Sequence, residues 1–104
     1  MRLRKRLCLE NKRIALYLGR LWEGKGLIDL LDAWGNLQAN GELRDWVLLC
    51  VGPDYRGFKK ILQDKVIEYG LSGKVKISSP MYGDDKIATL DLCELFILPS
   101  HQEA

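Results

Sequence analysis

The fold is decided by residues 14–26, which have the sequence IALYLGRLWEGKG. Ile14 to Leu18 form a nearly continuous apolar run, which is typical of a strand buried on both faces. A glycine-rich turn follows, and from Leu27 onward the apolar residues recur at helical spacing. This stretch therefore predicts a buried strand, a turn and an amphipathic helix, in that order.

Strand-type runs and helical stripes alternate along the rest of the chain. The further predicted strands are residues 46–51, 74–78 and 94–98, and the predicted helices cover residues 27–37, 58–69 and 84–93. Asp54 is expected to begin the second helix, and Gly70 to end it in the left-handed conformation. Asp84 and Asp85 favour the N-terminus of the third helix, where their charge complements the helix dipole.

This alternation predicts an α/β fold, a Rossmann-like three-layer α/β/α arrangement with a four-stranded parallel sheet. Right-handed crossovers give the spatial strand order 3-2-1-4. We interpret residues 1–104 as a single domain, in which residues 1–12 form a short amphipathic N-terminal segment. Such sheets bind ligands beyond the carboxyl ends of their strands, so the functional residues are expected in the strand-to-helix turns.

Composition limits the classes of function. The chain is 47% hydrophobic and 29% charged, as in globular proteins. A net charge of +2 is too small for a dedicated nucleic-acid binder. The three cysteines, Cys8, Cys50 and Cys93, are widely spaced and favour neither a disulfide framework nor a zinc site. A reducing, cytoplasmic location is therefore expected, and the longest uncharged apolar stretch is too short to span a membrane.

The turn from Gly19 to Gly26 contains three glycines and two cations, Arg20 and Lys25. Glycines allow close backbone approach, and a helix N-terminus favours a phosphate. Arg20 can grip two phosphate oxygens through its planar guanidinium, and Lys25 can add a point charge. A glycine-rich turn with two solvated cations explains the composition equally well.

The same turn matches the G-x-x-x-x-G-K start of a nucleotide triphosphatase P-loop. That motif requires Ser or Thr after the lysine to hold magnesium, and this sequence has Gly26 there. A P-loop remains a lesser alternative. The dinucleotide fingerprint G-x-G-x-x-G fails, because Asp29 occupies the place of its third glycine.

Five segments occur in an order that resembles a known family. They are Gly19-Arg20-Leu21, Lys25-Gly26, Val51-Gly52-Pro53-Asp54, Gly70-Leu71 and Leu98-Pro99-Ser100-His101-Gln102-Glu103. Together they resemble the C-terminal, nucleotide-sugar-binding domain of retaining GT-B glycosyltransferases of the group 1 type. The resemblance covers residues 13 to 103.

The resemblance implies roles for particular residues. It implies that Gly19, Arg20 and Lys25 hold the donor diphosphate. It also implies that the loop after the third strand contacts the nucleotide base, mainly through backbone groups of Ser79, Pro80, Met81 and Tyr82. Glu103 matches the first glutamate of a Glu-x7-Glu signature and is the implied catalytic residue beside the donor sugar. The second glutamate would lie beyond residue 104. His101 is expected in an exposed loop, and Trp22 could cover a ligand.

The resemblance also implies the partners. The donor is a UDP- or GDP-sugar, the acceptor a saccharide or lipid-linked molecule, and no metal or other cofactor is expected. Acceptor binding, and any membrane contact, belong to an N-terminal domain that this chain lacks. We therefore expect no sugar transfer by the chain alone, and self-association through uncovered apolar surface. The alternative is a non-catalytic nucleotide-sensing or interaction module.

Overall fold

The structure is a computed structural model that describes residue 9, residues 11–22 and residues 26–97. Within these residues the elements are β1 (Arg13–Leu18), α1 (Leu27–Ala39), β2 (Trp46–Val51), α2 (Phe58–Glu68), β3 (Val75–Ser78), α3 (Gly83–Leu92) and β4 (Leu95–Ile97). Strands and helices alternate, as the hydrophobic periods predict. Each strand begins within one residue of its predicted start.

The strands of the described residues form one sheet in the order β3-β2-β1-β4. All of their pairings are parallel, and Leu16 of β1 lies between Leu49 of β2 and Phe96 of β4. The predicted topology is confirmed. Because the chain builds outward from β1 to β3 and then returns to the other side of β1, the strand order reverses between β1 and β4. That reversal is the position where open α/β sheets bind ligands.

One face of the sheet packs against α1 and α2. The buried cluster on this face includes Ala15, Tyr17, Leu31, Trp34, Leu48, Cys50, Leu62 and Val66. Trp34 is 4% exposed, and its indole N–H donates to the Lys74 carbonyl at 3.2 Å. Trp34 therefore serves core packing, and Trp46 is partly buried against the same cluster.

The opposite face packs against α3. Its buried residues are Leu9, Ile14, Leu16, Val47, Leu49 and Val51, with Met81, Ala88 and Leu92 partly buried against them. Consecutive strand residues point to opposite faces. The continuous apolar runs of β1 and β2 are therefore explained by burial on both sides, as the sequence predicts.

Two of the predicted helix ends are confirmed. Gly70 has φ +69° and follows α2, and the Leu71 N–H donates to the Val66 carbonyl at 2.8 Å. Asp84 and Asp85 lie in the first turn of α3. The left-handed glycine and the acidic first turn therefore act as the sequence indicates.

The expectation for Asp54 is only partly met. The residue that precedes α2 is Gly57, in the left-handed conformation, rather than Asp54. The Asp54 carboxylate nevertheless accepts a hydrogen bond from the backbone N–H of Lys59 at 2.9 Å. Asp54 thus stabilises the first turn of α2 from outside the helix, across an intervening turn.

The surface formed by α3 and β4 exposes large apolar side chains. Ile87, Leu90, Leu95 and Phe96 are between 40% and 59% exposed. This surface supports the expected self-association, which stays a prediction. None of the helices that the structure describes is long and apolar enough to cross a membrane.

Several predicted features lie outside the described residues. These are most of the N-terminal segment at residues 1–12, Lys25, and residues 98–104 with His101 and Glu103.

Candidate functional site

Two strand-to-helix turns lie against each other at the carboxyl edge of the sheet. The first turn, residues 19–22, follows β1, and the second turn, residues 52–57, follows β2. The Leu21 N–H donates to the Pro53 carbonyl at 2.8 Å, and the Tyr55 N–H donates to the Leu21 carbonyl at 3.2 Å. Leu21 is fully buried. The two turns therefore extend the parallel pairing of β1 and β2 beyond the strands.

The backbones of the two turns are also in close contact at Gly19 and Gly52. The Gly19 N–H donates to the Val51 carbonyl at 2.9 Å. A Cβ atom built on Gly52 would lie 1.6 Å from the Gly19 carbonyl oxygen. Only glycine fits at position 52 without moving the first turn, which gives a physical reason for the Val51-Gly52 pair.

Tyr17 fixes the backbone of the first turn from within the core. Its hydroxyl donates to the Arg20 carbonyl at 2.6 Å, and the residue is 2% exposed. Burial, together with the nearby Cys50, raises the pKa of Tyr17 to about 12. The hydroxyl therefore stays protonated and able to donate at neutral pH.

The side chain of Arg20 reaches across to the second turn. Its guanidinium carbon lies 5.7 Å from the Trp22 ring centroid and 5.5 Å from the Tyr55 ring centroid. The two rings meet edge to face at 5.6 Å. We call Trp22 and Tyr55 the aromatic clamp. The Arg56 guanidinium lies 5.2 Å from the same Tyr55 ring, so two cations and two rings gather where the turns meet.

The start of α1 differs from the start of α2. Gly26, which has no side chain to cap a helix, precedes α1 in the left-handed conformation, and Asp29 lies in the first turn of α1. The first N–H groups of a helix have no partner within it, and they attract anions. At α2 the Asp54 carboxylate already accepts one of these N–H groups.

The predicted base loop, residues 79–82, follows β3. Ser79 and Tyr82 are exposed, and Lys59 Nζ lies 3.4 Å from Ser79 Oγ. The Met81 side chain packs into the core, with its sulfur 3.0 Å from Thr89 Oγ1. Because the Met81 side chain packs into the core, only the backbone groups of Met81 are available to contact a ligand.

The structure brings some of the predicted site residues together and leaves others apart. Gly19 and Arg20 lie at the contact between the turns, whereas Ser79 follows β3, at the far edge of the sheet from β4. Three contributors were missed from the sequence: Tyr17, Tyr55 and Lys59. Tyr55 directly follows the turn signal Pro53-Asp54, but its contact with Arg20 depends on the pairing of β1 with β2.

Among the residues that the structure describes, no group of His, Cys, Asp or Glu could hold a metal ion. The expected absence of a metal stays a prediction. Cys50 is fully enclosed, and burial raises the pKa of its thiol to about 12. A buried neutral thiol is unreactive, so Cys50 serves packing.

Residues 2–104 match the family model described as glycosyl transferases group 1. The chain belongs to this family. No curated protein matches the sequence.

Solved structures share the fold of this glycosyl transferases group 1 chain. Anabaena Alr3699/HepE in complex with UDP and glucose matches with a TM-score of 0.79 and 24% identity, over 95% of this chain and 26% of its own. The C-terminal domain of the group 1 protein LpcC from Francisella tularensis has a TM-score of 0.76 and 19% identity, over 99% of this chain and 54% of its own. WaaG, a glycosyltransferase involved in lipopolysaccharide biosynthesis, has a TM-score of 0.72 and 22% identity, over 97% of this chain and 26% of its own.

These similarities establish that the chain has the Rossmann-like architecture of GT-B glycosyltransferases. The group 1 chain spans 26% of the length of HepE and of WaaG.

Proposed function

We propose that this chain binds the diphosphate of a nucleotide sugar at its first turn, as the donor-binding part of a retaining glycosyltransferase. The observation that carries the proposal is Arg20, exposed on the turn that leads to α1, the helix preceded by Gly26, which has no side chain to cap it. A guanidinium and free helix N–H groups are both donors suited to phosphate oxygens.

Membership of the glycosyl transferases group 1 family supports glycosyl transfer as the reaction in which this site would take part. HepE has been solved with UDP and with UDP-glucose, which are molecules that carry a diphosphate. Because the chain is only 24% identical to HepE, this similarity shows a shared fold and does not by itself show a shared ligand. The diphosphate assignment therefore rests on the chemistry of the first turn, and HepE supports the choice of ligand.

The proposed role of the first turn follows from the chemistry of sugar transfer. The bond between the sugar C1 and the diphosphate oxygen breaks, and its electron pair remains on the diphosphate. The acceptor hydroxyl oxygen forms the new bond to C1, and its proton is taken up by the departing diphosphate. Arg20, with the N–H groups of α1, would stabilise the charge that develops on the diphosphate. Lys25, outside the described residues, is proposed to assist.

Other contacts are proposed on the resemblance. Backbone groups of Ser79 and Pro80 would contact the nucleotide base, and the exposed Tyr82 would lie beside it. Glu103 would lie beside the donor sugar. Transfer itself is assigned to a whole glycosyltransferase with a saccharide or lipid-linked acceptor, and the chain alone is expected to bind the donor without turnover, because the positioning of two reactants supplies much of the catalysis.

Calorimetric titration of the chain with UDP, GDP and ATP, each with and without magnesium, tests the proposal. Binding of UDP or GDP without magnesium, and much weaker binding of uridine or guanosine, is the expected result. It also identifies the base. Strictly magnesium-dependent ATP binding would favour a P-loop enzyme, and no binding of any nucleotide would favour an interaction module.

A further inference from the structure

We propose that Tyr55, together with Trp22, positions the Arg20 guanidinium for the donor diphosphate, so that the second turn is a functional part of the site. This inference rests on the proposed function, in which Arg20 contacts the diphosphate. It assigns a new role to two aromatic residues that touch no phosphate themselves.

Arg20 makes cation–π contacts, which orient a guanidinium without engaging its N–H groups in hydrogen bonds. Its guanidinium carbon lies 5.7 Å and 5.5 Å from the two ring centroids of the aromatic clamp, within the range of cation–π attraction. A ring face accepts no conventional hydrogen bond from the guanidinium edge. The planar N–H groups of Arg20 therefore remain available for phosphate oxygens.

A carboxylate partner would have had the opposite effect, because it would occupy those N–H groups. The ion pairs found in the part of the chain that the structure describes are Arg13–Glu94, Lys60–Asp64 and Lys65–Glu68. They lie on other side chains. The aromatic clamp thus restrains a long and exposed side chain, and none of these three ion pairs between described residues involves Arg20.

Each ring of the clamp is held in place. Tyr55 is tied to the first turn through its N–H bond to the Leu21 carbonyl, and its own carbonyl accepts the Phe58 N–H at 3.1 Å. The Trp22 ring meets Tyr55 edge to face at 5.6 Å, and both residues are half-buried. Arg20 is thereby oriented by both turns at once, and losing either ring would release it.

Charge around Tyr55 favours an anionic ligand. Arg56 lies 5.2 Å from the same ring that attracts Arg20, which concentrates positive charge on the second turn. Like charges that share one ring repel each other, and a bound diphosphate would relieve this repulsion. The second turn therefore adds to the field that the diphosphate meets, besides orienting Arg20.

A double-mutant cycle on the chain tests the inference. UDP affinity is measured by calorimetry for the parent, Arg20→Ala, Tyr55→Leu and the double variant, with Tyr55→Phe as the control that keeps the ring. Tyr55→Leu is expected to weaken UDP binding about three- to tenfold, and Tyr55→Phe less than about twofold. In the double variant, Tyr55→Leu should have no further effect, and uridine binding should not change in any of the four.

A ligand-free measurement supplements the cycle. The NMR order parameter of the Arg20 Nε–H bond should fall in Tyr55→Leu and stay at the parent value in Tyr55→Phe. Trp22→Leu removes the other ring and gives an independent reading should Tyr55→Leu not fold. Thermal unfolding of every variant shows whether the fold is kept.

The outcomes separate this inference from the proposed function. If the parent binds neither UDP nor GDP, the proposed function fails and the inference fails with it. If Arg20→Ala weakens UDP binding but Tyr55→Leu leaves it unchanged or tighter, the role of the clamp alone is wrong. Equal losses from Tyr55→Leu with and without the Arg20 side chain would also overturn it, because Tyr55 would then not act through Arg20.

Discussion

The first and second turns leave neighbouring strands at the same edge of the sheet, and a left-handed glycine precedes the helix that follows each of them. Gly26 has φ +68° and Gly57 has φ +80°. The second turn supplies its own anion, since the Asp54 carboxylate accepts the Lys59 N–H. The first turn carries Arg20 and leads to α1, which is preceded by Gly26, a residue with no side chain to cap the helix, and has Asp29 in its first helical turn. The second helix start is capped by a carboxylate from its own turn, whereas the first turn carries an exposed cation.

The comparison shows that the second turn supports the first. Its backbone pairs with Leu21, its glycine admits the Gly19 carbonyl, and its tyrosine contacts the Arg20 guanidinium. The role expected of the first turn therefore depends on residues of the second. Substitutions in each turn test this dependence.

Gly52→Ala is expected to have the largest effect, a loss of about 3 kcal/mol in the free energy of unfolding. The added Cβ would lie 1.6 Å from the Gly19 carbonyl oxygen. Because the obstacle is backbone, the first turn must move away from the second. Urea unfolding measures the loss, and UDP titration of the folded fraction should show weakened binding.

Gly35→Ala is the matched control for this substitution. Gly35 lies inside α1, and its added Cβ would lie 3.8 Å from a Leu71 methyl carbon, an ordinary contact. In a helix interior, alanine is more favourable than glycine by about 1 kcal/mol. This variant should therefore be stabilised. Equal stability of Gly52→Ala and the parent would show that the turns are not packed against each other as described.

Arg20→Ala is expected to weaken UDP or GDP binding by about 1.5 to 3 kcal/mol, because it removes a charge-assisted contact with the diphosphate. Binding of the nucleoside should change far less. Arg44→Ala removes an equal charge from the segment before β2. Because Arg44 lies at the amino ends of the strands, away from the two turns, this variant should leave binding unchanged. Calorimetry showing parent-like affinity for Arg20→Ala would remove the phosphate role from the first turn.

Asp54→Ala tests the other half of the comparison. Loss of the carboxylate at the start of α2 should lower the free energy of unfolding by about 1 kcal/mol, and Asp54→Asn, which keeps an acceptor oxygen, should lose less. UDP affinity should stay at the parent value in both. Tighter UDP binding by Asp54→Ala would mean that the ligand uses the vacated second helix start as well, because the Lys59 N–H is no longer occupied by the carboxylate.

The fold could be predicted because it depends on local pattern. The runs at residues 14–18 and 46–51 have no polar face, so burial on both sides, and hence a parallel sheet covered by helices, followed from them. The left-handed Gly70 was predictable for the same reason. Asp54 was placed less well, because its carboxylate reaches over Gly57 to the helix instead of preceding it directly.

The candidate site was predictable only where it is contiguous in sequence. Glycines and Arg20 on one turn indicate an anion site, and they could be recognised together. The contact of Tyr55 with Arg20 and the approach of Gly52 to Gly19 arise from strand pairing between distant segments. Side-chain packing of Met81 likewise depends on α3 lying over that face of the sheet. Single residue types carry no signal for such contacts.

The smallest effect is expected from Tyr17→Phe, which removes the hydroxyl that holds the Arg20 carbonyl at 2.6 Å. The loss should be about 0.5 to 1 kcal/mol in the free energy of unfolding at neutral pH, since Arg20 is exposed and water can replace the hydroxyl. The pH dependence is more diagnostic. The pKa of Tyr17 is raised from 10 to about 12 in the folded chain, so the folded state favours the protonated phenol.

The contribution of that pKa shift to stability is therefore complete below pH 10 and is lost as the pH rises from 10 toward 12. Cys50, raised from 9 to about 12, acts in the same direction over pH 9 to 12. Urea unfolding of the parent between pH 8 and 12 should show a steady fall in stability, and Tyr17→Phe should show a shallower fall, with the Cys50 part remaining. Parallel curves for parent and variant would mean that the Tyr17 hydroxyl is not buried against the Arg20 carbonyl of the first turn.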